Sequence, residues 1–176
     1  MKARAHNCAC SHTRAMLFTS TLTCAIIDLN RLDEAEESLS SGLAVLERCG
    51  EAGLEVLSGR NNLAHLFNVR ARHDEARDLA RRTVNECDDI LGGADFGREQ
   101  DGSSAYSDKV AQRVSERASE RDECKKVLCA ALNNLANALR SLGGTVDARP
   151  IYERSCVLRE NLFGPDHPST LLAQVN

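Results

Sequence analysis

Asn133-Asn134-Leu135-Ala136-Asn137-Ala138-Leu139, followed by Asp147-Ala148-Arg149, decides the architecture, because related text occurs twice earlier in the chain. One echo is Asn61-Asn62-Leu63-Ala64-His65-Leu66-Phe67 leading to Asp74-Glu75-Ala76-Arg77. The other is Leu22-Thr23-Cys24-Ala25-Ile26 leading to Asp33-Glu34-Ala35-Glu36. In each, the leading Leu precedes the shared Ala by 13 residues (22 to 35, 63 to 76, 135 to 148). Gly92 and Gly164 each fall 16 residues beyond that Ala (76 to 92, 148 to 164).

The spacing is that of a helical hairpin. Leu63, Leu66 and Phe67 lie at i, i+3, i+4, as do Leu22, Ala25, Ile26 and Leu135, Ala138, Leu139, so each set forms one apolar face of a first helix. Polar turns follow at Asn30-Arg31, Arg70 to Arg72 and Gly143-Gly144. The small Ala then begins a second helix, where a larger side chain would hold the two helices apart. Further apolar positions on the second helices are Leu43, Val84 and Cys156, then Cys49, Ile90 and Leu162, and the final Gly is expected to cap the helix. A single hairpin cannot bury both faces, so neighbouring units must stack. The fold class expected is all-α, a right-handed α-solenoid of antiparallel hairpins.

Composition agrees. Of 176 residues, 22 are alanine and 22 leucine against 14 valine plus isoleucine, and tryptophan is absent. Ala and Leu lose little freedom in a helix, whereas a sandwich or barrel needs β-branched and aromatic residues. Hydrophobic residues make up 42% of the chain, which excludes wholesale disorder. No apolar run approaches the roughly 20 residues that span a bilayer. A net charge of −4 gives no footprint for nucleic acid.

The last unit carries a resemblance. Leu132-Asn133-Asn134-Leu135-Ala136, Asp147-Ala148-Arg149-Pro150-Ile151-Tyr152-Glu153-Arg154 and Leu162-Phe163-Gly164-Pro165-Asp166-His167-Pro168 resemble the tetratricopeptide repeat, in the longer, roughly 42-residue form of kinesin light chains. The second unit shares the pattern without the Pro-Asp-His-Pro tail, and the first shares its apolar spacing and Asp-Glu-Ala. Ala71 and Asn30 stand where the family places Gly, and His73 and Thr145 where it places an aromatic, so loose turn packing is expected. Pro150 is expected in the first turn of its helix.

Leu22 and Leu63 are 41 apart but Leu63 and Leu135 are 72 apart, so about thirty residues are inserted. Residues 1–12 read as a disordered tail, 13–92 as units one and two, and 93–123 as an inserted polar loop and charged helical extension. Residues 124–168 read as unit three and 169–176 as the start of a truncated fourth. From Asp108 to Leu142 there is neither Gly nor Pro, so Ser107 or Asp108 is expected to cap a helix of about 35 residues that projects as a charged rod. An incomplete end exposes a stacking face, so the chain could instead be a structural array fragment that only assembles with itself or with a larger solenoid through its unfinished ends.

The resemblance implies an adaptor or scaffold for a protein or extended peptide, held on the concave face lined by first helices. Asn61, His65 and Asn68 lie at i, i+4, i+7 there, and Asn133, Asn137 and Arg140 repeat the positions. An amide both donates and accepts, matching a peptide backbone, and Arg140 adds a carboxylate contact. These six are the candidate peptide-binding residues. The bland reading is that Asn61 and Asn133 satisfy neighbouring turns. His6, Cys8, Cys10 and His12 form H-x-C-x-C-x-H, but ligands one residue apart are not the zinc pattern, so neither metal nor cofactor is expected. No nucleophile elbow, P-loop or zinc-protease motif occurs, and no enzyme is expected. The scattered cysteines, without a CxxC pair, read as reduced; Cys49, Cys129 and Cys156 read as buried. Residues 1–27 lack Asp and Glu and resemble a mitochondrial leader, yet no small-residue cleavage site follows Ile27. A cytoplasmic location is the expectation, with mitochondrial targeting as the alternative.

Overall fold

The computed structural model describes residues 31–48, 53–92 and 107–175, with side-chain surroundings over 112–171 in the last stretch. The leading helix of unit one, the Cys/His cluster at 6–12, Cys49 and the loop at 93–106 lie outside the described residues. The described residues form six helices: α1 (Leu32–Arg48), α2 (Leu54–Val69), α3 (His73–Gly92), α4 (Ser107–Ser141), α5 (Thr145–Phe163) and α6 (Pro168–Val175). Each helix packs on the next, and α2 also packs on α4. This makes two complete hairpins, α2–α3 and α4–α5, with α1 stacked before them and α6 after them.

The three repeated alanines take equivalent places in the stack. Ala35, Ala76 and Ala148 are all fully buried, each where a second helix crosses its neighbours. Helix α2 is buried on two sides. Val56, Leu63, Leu66 and Phe67 join Leu39, Leu43 and Leu46 of α1 in one core. Leu57 and Ala64 face Ala80, Val84 and Cys87 of α3 and Leu128, Ala131 and Leu132 of α4 in a second. Fully burying a leucine contributes about 1.5–3 kcal/mol, so these two seams hold the stack together.

Four expectations change. Ile90 is 42% exposed. The buried stripe of α3 advances through Ala76, Ala80, Val84 and Cys87 to Leu91, mostly in steps of four, and leaves Ile90 on its edge. Cys156 and Leu162 are only half-buried, while Cys129 is buried as expected. Gly164 takes a positive φ of 89° after α5, but Gly92 is simply the last residue of α3 and is not among the positive-φ glycines. Pro150 is the sixth residue of α5 rather than in its first turn, so the Val146 carbonyl loses its i+4 donor.

The long helix matches its expectation. Helix α4 begins at Ser107 and runs 35 residues. Residues 112–123 are exposed throughout, and Cys124 is the first buried residue among those whose surroundings are described.

The two hairpin turns share one backbone pattern. Ala71 N–H donates to Asn68 O and Arg72 N–H to Phe67 O; Gly143 N–H donates to Arg140 O and Gly144 N–H to Leu139 O. These are Schellman motifs with the left-handed residue at Ala71 (φ 58°) and Gly143 (φ 87°).

Candidate peptide-binding face

Helices α2 and α4 lie side by side as successive first helices, and they carry all six candidate residues. Two of the six are occupied between the helices. Asn134 is buried, and its amide nitrogen donates to Asn61 Oδ1 at 2.9 Å and Asn61 O at 3.2 Å. Asn68 Nδ2 returns a bond to Asn134 O at 2.9 Å. An unpaired buried amide is costly, so this reciprocal clasp sets the register of α2 against α4. Asn61 and Asn68 therefore engage the neighbouring helix rather than merely a turn. Each keeps one amide end uncommitted to it: Asn61 Nδ2, and Asn68 Oδ1, which lies 3.5 Å from His73 Nδ1.

The other four sit more openly. His65 and Arg140 are exposed, while Asn133 and Asn137 are half-buried. Tyr152, from α5, donates its hydroxyl to Asn137 Oδ1 and so orients that amide. Burial pushes the Tyr152 phenol up, while the nearby Arg140 charge pulls the other way. Tyr152 is therefore protonated at neutral pH, and Arg140 lies close enough for its charge to act on the phenol. The surface thus combines a histidine, amides, a phenol and a guanidinium: hydrogen-bonding groups with one fixed positive charge.

Asn134 and Tyr152 were missed as site residues. Asn134 lies inside the Asn-Asn pair, and pattern alone does not say which of the two turns inward. Tyr152 had a signal, being one of only two tyrosines in the chain, but its partner Asn137 is 15 residues away on another helix.

The end of the second complete hairpin is also built in detail. His167 stacks on Phe163 at 4.9 Å between ring centroids, and its Nδ1 accepts from the Ser169 amide at 3.2 Å, capping α6. Thr170 Oγ1 donates to Gly164 O. His167 thus shapes the turn between units, as expected. Among the described residues no cluster of three metal-ligating side chains occurs, and no helix is long and apolar enough to cross a membrane.

Residues 128–169 match the tetratricopeptide-repeat family model. No match was found among curated proteins. Solved structures similar to this chain include the nearly identical TPR-like repeats of a protein from Podosopora anserina described as a kinesin light chain. That structure is 18% identical over 90% of this chain and 82% of its own, with a TM-score of 0.38. A single-substitution variant of it is also 18% identical, over 90% and 81%, with a TM-score of 0.39. The described residues form an all-helical stack of hairpins, and residues 128–169 within it are similar to a tetratricopeptide repeat.

Proposed function

We propose that the chain is a protein- or peptide-binding scaffold that holds an extended segment along the face formed by α2 and α4. The observation that carries this reading is the set His65, Asn133 and Arg140: polar groups on adjacent first helices with no side-chain hydrogen bond to the described residues. Asn137, oriented by Tyr152, and the remaining amide ends of Asn61 and Asn68 complete the row. Amides at one-turn spacing match the alternating donors and acceptors of an extended backbone, and Arg140 favours an acidic group on the segment.

Peptide display against the purified chain supplies ligands for the test. Asn133→Ala combined with Asn137→Ala is expected to weaken the selected peptides at least about tenfold, the loss of one or two net hydrogen bonds. The helical circular dichroism is expected to stay unchanged. Undiminished capture by the double variant sinks the proposal.

A second reading, assembly with further copies, rests on Val146, Val157 and Leu171, which are 86%, 57% and 49% exposed on α5 and α6. It predicts concentration-dependent mass in light scattering, and a constant monomer mass opposes it.

A further inference from the structure

Cys87 on α3 and Cys124 on α4 meet in the seam between the two hairpins. Both are fully buried, and both belong to the core that joins α2, α3 and α4. Cys124 Sγ donates to the Cys87 backbone carbonyl at 3.9 Å, which places the two residues in direct contact across the seam. They are 37 residues apart, and the stretch between them contains the insertion. Both are free thiols.

We infer that Cys87 and Cys124 form a latent disulfide, closed by exchange with a small-molecule disulfide, that locks hairpin α2–α3 onto the long helix α4. Position selects the first thiol to react. Residues 112–123 of α4 are exposed and Cys124 is the first buried residue, so displacement of that projecting stretch uncovers Cys124 before anything deeper. After losing its proton to solvent, the Cys124 thiolate attacks one sulfur of the small disulfide. That S–S bond breaks, and one small thiolate leaves and takes up a proton. The Cys87 thiolate then attacks Cys124 Sγ in the mixed disulfide, forms the protein S–S bond and expels the second small thiol. Two cysteine thiols are oxidised by two electrons, and one small disulfide is reduced to two thiols.

Burial pushes the Cys87 thiol up to about 12 and raises Cys124 as well, so the closed seam keeps both protonated and unreactive. Exchange is therefore gated by opening of the seam, and the product holds the seam shut. The cross-link would close the 37-residue separation that the insertion leaves between the hairpins.

The full chain incubated with oxidised glutathione, alkylated and digested, tests this by peptide mass spectrometry. The expected product is a peptide pair linked through Cys87 and Cys124. Its thermal midpoint should rise by roughly 5–10 °C, reversed by dithiothreitol. Cys87→Ala should instead trap glutathione on Cys124, with helical circular dichroism confirming that the variant folds. The inference is overturned if both cysteines remain alkylatable in the wild-type chain, if either links elsewhere, or if a glutathione adduct persists without ring closure.

Discussion

Hairpin α2–α3 and hairpin α4–α5 make the same turn with different residues. The backbone bonds are the same, shifted by 72 positions: Ala71 and Arg72 bond as Gly143 and Gly144 do. In the second hairpin two glycines make the turn with no side chain to help. In the first, a non-glycine residue occupies left-handed space, at a cost of about 1–2 kcal/mol. Arginines flank it. Arg70 reaches Asp33 at 2.5 Å and Glu36 at 2.6 Å on α1, and Arg72 reaches Glu36 at 2.7 Å and Glu75 at 2.6 Å while lying 4.3 Å from the centre of the Phe67 ring. The hydrogen bond from Arg72 holds the Glu75 carboxyl below its ordinary value. Leu142 and Gly144, at the matching positions, offer no such charges. The hairpin inside the family match turns by backbone permissiveness; the other is clamped to its predecessor by ion pairs.

The largest expected break in this comparison is at the core. Leu66, fully buried, corresponds to Ala138 in the second hairpin, so Leu66→Ala gives the first hairpin its counterpart's residue. A loss of about 2–5 kcal/mol is expected in urea unfolding. A change under about 1 kcal/mol means α2 is not anchored on α1 as described.

Alkaline titration comes next. Cys87 corresponds to Arg159, so only the first hairpin carries a buried thiol at this register. Its folded-state pKa is raised from 9.0 to about 12 by burial, so its contribution is complete below pH 9 and is lost as pH rises toward 12. Stability is expected to fall by up to about 1.4 kcal/mol per pH unit across that window, and Cys87→Ala is expected to flatten the fall. Burial also pushes Cys129 up, to about 11, so some slope remains.

Reciprocal turn variants follow. Gly143→Ala is expected to cost about 1 kcal/mol and Ala71→Gly to stabilise by a similar or smaller amount. Effects of the same sign dissolve the comparison. Smallest is Arg70→Ala, expected to cost about 0.5–1 kcal/mol and to shrink as salt is added, because Arg70 and Glu36 are 27% and 25% exposed while Asp33 is nearly free in solvent. A salt-independent cost points to packing of the Arg70 stem instead.

What could be read in advance was whatever repeats locally. The 13-residue offset located the buried alanines, and the absence of Gly and Pro from Asp108 onward located α4. Less legible was whatever depends on helices meeting across the insertion. Asn61 and Asn68 find Asn134 some seventy residues away, and Cys87 finds Cys124, because stacking brings their helices together. Ala71 looked like a departure that loosens a turn; the turn is instead formed, beside charge pairs of Arg70 and Arg72 that the second hairpin has no residues to make. Ile90 failed because a helix stripe advancing by four drifts away from a fixed repeat offset.

Helix α4 has a mechanical consequence. Its 35 residues form one uninterrupted beam of about 52 Å, held in the core from Cys124 onward and exposed over residues 112–123, where Arg121 donates to Leu91 O of α3 near the support. Such a cantilever concentrates bending at its support. A load applied at the tip, Ser107, acts with a lever arm of about 25 Å and delivers its torque first to the seam between α3 and α4.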